Sequence, residues 1–277
     1  MEVFFRSKPY PGPVKGVVLD WAGTTVDFGC IGPVSAFMEV FANRSIEVTT
    51  AEAREPMGLM KKDHIRAMIR TGSVATRWRE AFGRDPDEAD VQAMYLELEP
   101  LMISTIAEHA EPVPGLHGAV ESMRRSEIKI GSSTGYTRPM MDILVPEAEK
   151  RGYRPDSVVC SSDVPRGRPY PYMCYQNAIN LDVYPFEAMV KIGDTLADIQ
   201  EGLTACMWTV AVTRTSSDLG LSEAEAAALP PGELARRMRI IKERFLSAGA
   251  HYVIEDIGGA PGVIEEINQL LARGERP

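Results

Sequence analysis

The sequence predicts an α/β protein: a Rossmann-like, doubly wound parallel sheet that carries an inserted α-helical cap domain. Three observations support this fold class. Short, β-branched apolar runs that end in polar residues recur along the chain. Segments with helical periodicity separate these runs, as they do in right-handed βαβ units. Residues 33–109, which follow the first run, show helical spacing without a clear strand and are therefore interpreted as an insertion.

The predicted strands are recognised by their apolar composition and by the polar residues that follow them. GVVLD opens the series, and IKIGSST, SVVCSSD, AMVKIGD, WTVAV and HYVIED continue it. They cover residues 16–20, 128–134, 157–163, 188–194, 208–212 and 251–256. Ligands of such sheets bind beyond the carboxyl ends of the strands. The polar residues at those ends are therefore the first candidates for chemistry.

The helical insertion defines the predicted domain division. Thr49 and Glu52 have the spacing of a capping box and predict a helix start, and further helices are predicted at 59–69 and 87–106. We expect residues 29–107 to form the cap domain, and residues 1–28 and 108–277 to form the α/β core domain. The segment 216–237 is predicted to be a surface excursion that leads into a helix.

Composition excludes several classes of partner. The 277 residues carry a formal net charge of −9, which argues against nucleic acid and anionic membranes but leaves an anionic small molecule possible. No apolar run reaches the length of a membrane span, and the N-terminal residues do not resemble a secretory signal. The four cysteines form no C-x-x-C pair and are interpreted as free, buried thiols. A cytoplasmic location is expected.

Three predicted strand ends carry groups that could converge on one site. Asp20 follows the first strand, Thr134 ends the second, and Asp194 follows the fourth, with Asp198 four residues further on. Carboxylate oxygens are ligands that Mg²⁺ prefers, and a carboxylate can also attack phosphorus to form an acyl-phosphate. Each acid alone could simply cap the next helix, whereas the ordered set DxxGTTxD, hydroxyl, GDxxxD is far more specific.

This ordered set resembles the haloacid dehalogenase superfamily over nearly the whole chain. The resemblance implies that Asp20 is the nucleophile and that the Thr134 hydroxyl holds phosphate. It also implies that Asp194 is a magnesium ligand and that Asp198 is a second acid, which orients the metal through water. Phosphatases and mutases of the superfamily carry an Asp two residues after the nucleophile, and it protonates the leaving oxygen of an ester. This chain has Ala22 there, which could offer only its backbone carbonyl to the metal.

The insertion offers a different way to stabilise a leaving group. Lys61 and His64 stand three residues apart and share one face of a predicted helix. A lysine amine forms a Schiff base with a carbonyl substrate, and the iminium draws electrons from an adjacent breaking bond. If that bond is C–P and the carbonyl is β to phosphorus, the carbon leaves as an enamine and no acid is needed at Ala22. His64 could relay a proton.

The whole combination resembles the phosphonoacetaldehyde hydrolase (phosphonatase) family. The matching stretches are LDWAGTTVDFGC, MGLMK with the following DH, IGSSTGYTR, DVPRGRPYPYMCY and KIGDTLADI. The resemblance implies hydrolysis of phosphonoacetaldehyde to acetaldehyde and phosphate, Mg²⁺ dependence and a homodimer assembled through cap helices. It assigns the Schiff base to Lys61 and phosphate binding to Arg168. It assigns the metal contacts to Asp20, Asp194 and the backbone carbonyl of Ala22. It also places four further residues near the active site: Met57, Cys30, His64 and Tyr136.

Several alternatives remain open at this point. Lys62 competes with Lys61 for the Schiff base, and Arg166 competes with Arg168 for phosphate. A phosphomonoesterase or phosphosugar mutase is the first rival function, and Ala22 speaks against it. A metal-independent dehalogenase is a second rival, against which the GDxxxD pair and Arg168 both argue. A non-catalytic binding protein on this scaffold is a third, although the chain keeps a nucleophile, metal acids and a candidate lysine together.

Overall fold

A computed structural model describes residues 9–277. Its centre is a six-stranded, wholly parallel sheet with the strand order β3-β2-β1-β4-β5-β6. The strands are β1 (Gly16–Leu19), β2 (Lys129–Thr134), β3 (Ser157–Cys160), β4 (Met189–Gly193), β5 (Trp208–Val212) and β6 (Tyr252–Ile254). The sheet is flanked by helices, so the predicted doubly wound α/β fold is confirmed.

Five helices follow β1 within residues 29–107, and seven more lie in the rest of the chain that the structure describes, of which the first precedes β2 and the other six follow it. The first group is α1 (Gly32–Ala42), α2 (Thr50–Arg54), α3 (Lys61–Arg70), α4 (Gly72–Phe82) and α5 (Glu88–Thr105). The second group is α6 (Leu116–Arg125), α7 (Arg138–Lys150), α8 (Tyr172–Asn180), α9 (Leu196–Thr204), α10 (Glu223–Ala228), α11 (Pro231–Ser247) and α12 (Ala260–Ala272). Among residues 9–277, no helix is long and apolar enough to cross a membrane.

The strand order places the candidate residues side by side. β1 lies between β2 and β4, and Leu19 is in register with both Ser132 and Ile192. The chain turns to one side of β1 for β2 and β3, and to the other side for β4, β5 and β6. This reversal is the switch point at which open α/β sheets bind ligands. The carboxyl ends of β1, β2 and β4 therefore meet at one place.

The five helices of the first group, α1 to α5, pack mainly on one another, with α5 against both α1 and α3. α2 begins as predicted: the Thr49 side chain accepts a hydrogen bond from the backbone N–H of Glu52, whose carboxylate accepts one from the N–H of Thr49. Phe37, Phe41 and Leu98 lie wholly buried among these helices. The division at residues 29 and 107 into cap and core stays a prediction.

Two sequence-based expectations are wrong. The segment 216–237 is not a surface excursion at its start, because Ser216 and Ser217 are buried under the carboxyl end of the sheet. Their hydroxyl-rich composition suits burial, since the Ser216 Oγ donates to the backbone of Thr213 at 2.7 Å. Cys206 is exposed, whereas the other three cysteines are buried as expected. It occupies the tight turn between α9 and β5 with a positive φ of 57°.

Candidate active site

Asp20 is the first residue beyond β1, and its carboxylate lies buried at the centre of the sheet's carboxyl edge. Its backbone N–H donates to Ile192 at 2.9 Å, which continues the ladder and fixes where the side chain projects. The Arg168 Nη2 donates to the Asp20 Oδ1 at 2.6 Å. Burial raises the pKa of Asp20 in spite of the opposing Arg168 cation. The nucleophile predicted from sequence therefore lies desolvated, with one cation in contact.

Asp194 lies beside Asp20 and is held by the loop that follows β5. The backbone N–H of Ser217 donates to Asp194 Oδ2 at 2.8 Å, and the Thr24 hydroxyl donates to Oδ1 at 3.3 Å. Gly23 has a φ of +86°, and a Cβ there would collide with the Asp194 carboxylate. Burial and the neighbouring Asp20 raise the pKa of Asp194 well above its ordinary value. A positive ion is the partner that this carboxylate lacks.

Asp198 stands nearby but is already satisfied by protein donors. Lys191 Nζ and Arg168 Nη2 approach its Oδ1 at 2.6 and 3.0 Å, while Thr195 donates to Oδ2 at 2.5 Å within the capping box of α9. Although burial opposes the change, these two cations lower the pKa of Asp198. Asp198 therefore caps α9 and also forms ion pairs with Lys191 and Arg168. That Asp198 would meet a metal through water stays a prediction.

These carboxylates form a group that could hold a metal ion. One oxygen from each of Asp20, Asp194 and Asp198 lies within 4.8 Å of the other two. The buried cluster around them contains four carboxylates and two cations, so its net charge is −2 when all are ionised, and its members are Asp20, Asp194, Asp198, Glu201, Arg168 and Lys191. An uncompensated buried charge of this size is strongly unfavourable. A divalent cation bound by oxygen ligands would neutralise it.

Two members of this cluster, Lys191 and Glu201, were not predicted. Lys191 lies in β4, wholly buried, and Glu201 lies one turn after Asp198 on α9. The Glu201 Oε2 accepts hydrogen bonds from Arg168 Nε and from Ser133 Oγ, both at 2.9 Å. The sequence did offer one signal for this pair: Lys191 stands inside the apolar run AMVKIGD, and a lysine buried in a strand needs an acidic partner. Glu201 holds the guanidinium that faces Asp20, and Lys191 lies 3.5 Å from the same Glu201 oxygen.

The structure places Lys61, and not Lys62, next to this cluster. Lys61 opens α3, is only 5% exposed, and its Nζ lies 4.5 Å from the Tyr136 ring centre and 5.6 Å from that of Phe37. Burial lowers the pKa of Lys61 to about 8. Lys62 points away, and its Nζ bonds Gln92 at 2.7 Å with a side chain 35% exposed.

A narrow cavity joins Lys61 to the carboxyl edge of the sheet. Its volume is about 20 Å³, which is close to the space that one water needs. The residues that line it come from both the insertion and the sheet, and they are Asp20, Ala22, Cys30, Pro33, Met57, Gly58, Lys61, Thr134, Gly135, Tyr136, Arg168, Asp194 and Thr195. Most of the residues singled out in the sequence therefore lie around one space.

His64 lies behind Lys61 and does not line the cavity. Its ring stacks on Phe37 with 3.7 Å between ring centres, and its Nε2 lies 2.9 Å from the Ala53 carbonyl oxygen. Since that oxygen only accepts, Nε2 carries the proton, and Nδ1 has no hydrogen-bond partner within residues 9–277. Burial and the Lys61 cation lower the pKa of His64 well below its ordinary value. The catalytic role predicted for His64 stays a prediction.

The two candidate arginines are also separated by the structure. Arg166 is exposed and donates to the Tyr170 hydroxyl at 2.6 Å. Arg168 is 3% exposed and contacts Asp20, and it also donates to the backbone carbonyl of Ser133 at 2.8 Å. Its Nη1 reaches the Gly58 carbonyl oxygen at 3.3 Å and so links the sheet to the insertion. Arg168 is therefore the arginine at the site.

A parallel sheet, an acidic triad beyond two neighbouring strands and a helical insertion define the class of haloacid dehalogenase-like hydrolases. The family model described as a haloacid dehalogenase-like hydrolase matches residues 14–205, and the chain belongs to that family. Within it, the chain is 62% identical over 277 residues to the phosphonoacetaldehyde hydrolase of Syntrophobacter fumaroxidans (strain DSM 10017 / MPOB), with all of both chains covered.

Two further relatives agree. A phosphonoacetaldehyde hydrolase-like protein of the same organism is 61% identical over 277 residues, again with full coverage of both chains. The solved structure of a phosphonoacetaldehyde hydrolase-like protein from Oleispira antarctica matches with a TM-score of 0.96 and 39% identity, covering all of both chains. The chain is therefore similar to phosphonoacetaldehyde hydrolases along its entire length, insertion included.

Proposed function

We propose that the protein hydrolyses the C–P bond of phosphonoacetaldehyde to acetaldehyde and phosphate. The observation that carries this proposal is one narrow cavity that contains both the buried Lys61 amine and the buried Asp20 carboxylate. Ala22 stands where a phosphatase would need its acid, so an ester would lack a proton donor for its leaving oxygen. The 62% identity to a relative named phosphonoacetaldehyde hydrolase supports the same substrate.

The first chemical step belongs to Lys61. Its neutral amine attacks the aldehyde carbon, and the carbonyl oxygen leaves as water, so that a protonated imine links the substrate to Nζ. Burial favours the neutral amine, because the pKa of about 8 leaves about a tenth of the lysine uncharged at pH 7. The iminium then accepts the electron pair of the breaking C–P bond. The Tyr136 ring covers the amine and limits water around it.

The second step belongs to Asp20. One carboxylate oxygen attacks phosphorus as the C–P bond breaks, which gives an aspartyl-phosphate and an enamine. Arg168 and Thr134 lie beside Asp20 in the cavity, where they can hold the phosphoryl oxygens. Protonation of the enamine and hydrolysis of the imine release acetaldehyde from Lys61. Water releases phosphate from Asp20 and restores the enzyme.

We propose that the metal is Mg²⁺, held by Asp20, Asp194 and the Ala22 carbonyl, with Asp198 reached through water. These groups supply only oxygen, which suits a hard divalent cation. Such a cation would screen the negative charge of the phosphonate from the attacking carboxylate. Burial raises the pKa values of both Asp20 and Asp194, and a cation bound between the two carboxylates would oppose that rise, which supports this assignment.

Removal of divalent metal should abolish turnover. After EDTA treatment we expect phosphate release from phosphonoacetaldehyde to fall at least about 100-fold, since the metal contributes several kcal/mol to such transition states. Mg²⁺ should restore the rate, and it should also raise the melting temperature, because an ion that binds only the folded state stabilises it. Full activity in EDTA would favour the metal-independent dehalogenase class instead.

The pH dependence of kcat/KM should report the Lys61 amine. The pKa of Lys61 is lowered from 10.5 to about 8, so its reactive neutral form increases as the pH rises through about 8 and is lost below it. We expect kcat/KM to fall about tenfold for each pH unit below about 7. His64, whose pKa burial lowers, stays neutral over this range. A profile that is flat between about pH 6 and about pH 9 would contradict the assignment.

The remaining proposals concern assembly and organisation. We propose residues 29–107 as a cap domain, and a homodimer formed through its helices, on the family resemblance. Phe82 and Leu96, which are 44% and 62% exposed on α4 and α5, supply apolar surface there. Light scattering of the purified protein would give its mass. A cytoplasmic location remains a prediction from the sequence.

Turnover itself tests the proposed function. Purified protein with Mg²⁺ should release phosphate and acetaldehyde from phosphonoacetaldehyde in equal amounts. Ordinary phosphate monoesters should be poor substrates, because Ala22 provides no acid. Rapid cleavage of monoesters that does not depend on Lys61 would instead support the phosphomonoesterase or mutase alternative.

A further inference from the structure

Arg54, the last residue of α2, joins the helical insertion to the sheet mainly through backbone carbonyls, and its Nη1 also lies 3.5 Å from the Ser217 hydroxyl. Its Nη1 donates to the carbonyl oxygens of Gly29 at 2.7 Å and Ser217 at 3.1 Å, and it lies 3.4 Å from that of Cys30. Its Nη2 donates to the carbonyl oxygen of Gly220 at 3.3 Å. Gly29 and Cys30 belong to the connection from β1 to α1, whereas Ser217 and Gly220 belong to the loop after β5.

Ser217 connects Arg54 directly to the acidic triad. The carbonyl oxygen of Ser217 accepts from Arg54, while its N–H donates to Asp194 Oδ2 at 2.8 Å. The same loop is tied to the turn that follows β1, since the Thr215 hydroxyl donates to the Gly23 carbonyl oxygen at 2.6 Å. One buried residue thus separates a guanidinium on the insertion from a carboxylate at the site.

The space around Arg54 is shaped for a guanidinium. Gly220 has a φ of +64°, and a Cβ there would lie 2.9 Å from Arg54 Nε and 3.0 Å from its Cζ. A planar guanidinium can bond several carbonyls at once in a fixed fork, which the single ammonium of lysine cannot reproduce. Because the guanidinium is charged, these hydrogen bonds are stronger than neutral ones. The loop after β5 is therefore held by Arg54 as well as by the sheet.

Entry of a substrate into the narrow cavity would break the contacts between Arg54 and the loop after β5. At about 20 Å³ the enclosed space is close to that of one water, so admission of a phosphonate would require the insertion to withdraw and return. Arg54 crosses the boundary that opens, as do the contacts of Gly58 with Arg168 and of Met60 with Gly167. Of these contacts, those of Arg54 reach Ser217, whose backbone N–H donates to Asp194.

We propose that Arg54 is a positioning residue that couples the closed arrangement of the insertion to the orientation of Asp194, and through it to the affinity of the site for a divalent cation. The inference rests on the proposed function in taking Asp194 as a metal ligand. When Arg54 bonds Ser217, the loop presents its N–H to Asp194 and the carboxylate is held for the ion. When the insertion withdraws, that restraint on the loop is lost.

The test is a titration of the substrate-free protein with Mn²⁺, followed by electron paramagnetic resonance. Arg54→Ala should weaken Mn²⁺ binding by about 10-fold or more, the range seen when partners of metal ligands are removed. Guanidinium chloride at tens of millimolar should restore part of that affinity in Arg54→Ala. Arg244→Ala is the matched control, because Arg244 lines the same cleft and, within residues 9–277, its side chain bonds the Asp218 carboxylate at 2.8 Å and not Ser217. It should bind Mn²⁺ like the unmodified protein.

The outcomes separate this inference from the proposed function. Unchanged Mn²⁺ affinity in Arg54→Ala would overturn the coupling. If that variant does not fold, as judged by its melting curve, Arg54→Lys decides: weakened Mn²⁺ binding supports the coupling, and unchanged binding overturns it. If the unmodified protein binds Mn²⁺ but does not cleave phosphonoacetaldehyde, the proposed substrate is wrong while the Arg54 titration still stands. If it binds no Mn²⁺ at all, Asp194 is not a metal ligand and the coupling fails with it.

Discussion

Asp20→Asn should reduce phosphate release from phosphonoacetaldehyde by at least about 10⁴-fold, in the range found when a covalent nucleophile is removed. Asparagine has the same shape as aspartate, but its amide oxygen is a far poorer nucleophile. Asp20 lies beyond the end of β1, outside the apolar core, and Arg168 keeps its contacts with Asp198 and Glu201. We therefore expect a folded protein with a melting temperature close to, or slightly above, that of the unmodified chain.

The same variant gives an internal control. Imine formation requires Lys61 and not Asp20, so Asp20→Asn should still bind phosphonoacetaldehyde covalently when borohydride is present. Phosphate release, mass spectrometry and a thermal melt measure the three properties separately. A variant that turns over at more than about one hundredth of the normal rate would remove Asp20 from the nucleophile's role. A collapsed fold would show that Asp20 is structural.

Lys61→Arg should produce the second large loss, again at least about 10⁴-fold in kcat, because arginine keeps the positive charge but forms no imine under these conditions. Without the iminium, the carbon would have to leave as an unstabilised carbanion. Lys62→Arg is the matched control on the neighbouring position. The Lys62 side chain bonds Gln92 and approaches Glu88 at the surface, so this change should leave kcat within about twofold. Steady-state phosphate release measures both variants.

The opposite result for the two lysine variants would contradict the position of Lys61 at the site. If Lys62→Arg were inactive and Lys61→Arg active, α3 would have to be rotated relative to the sheet. If both variants kept their activity, no Schiff base would take part. Cleavage of simple phosphate esters by both would then support the phosphomonoesterase alternative.

The fold was predictable because its signals are local. Each strand is a short apolar run, and parallel strands bring their carboxyl ends to one edge. That rule alone placed Asp20, Thr134 and Asp194 together, although they are far apart in sequence, and the structure brings all three to the same cavity. The helix start at Thr49 was likewise predictable, since a capping box involves residues only three apart.

What the sequence could not supply were the long-range partners. Arg168 meets Asp20 across 148 residues and Glu201 across 33, and no local pattern encodes either pairing. The serine-rich sequence around Ser217 is typical of an exposed loop. A polar loop can be buried only when its groups find partners such as Asp194, and those partners are known only from the fold. Asp198 was ambiguous between a helix cap and a metal acid; the structure shows the cap together with an ion pair to Lys191, which no local pattern predicted, and the metal role stays a prediction.

The most direct test of the central claim is borohydride trapping. The claim is that the carbonyl substrate is held on Lys61 while Asp20 attacks phosphorus. Sodium borohydride added with phosphonoacetaldehyde should inactivate the protein and add the mass of the reduced substrate carbon skeleton to one peptide, with fragmentation placing it on Lys61. Borohydride or substrate alone should have no effect. An adduct on Lys62, or inactivation without any adduct on lysine, would contradict the account.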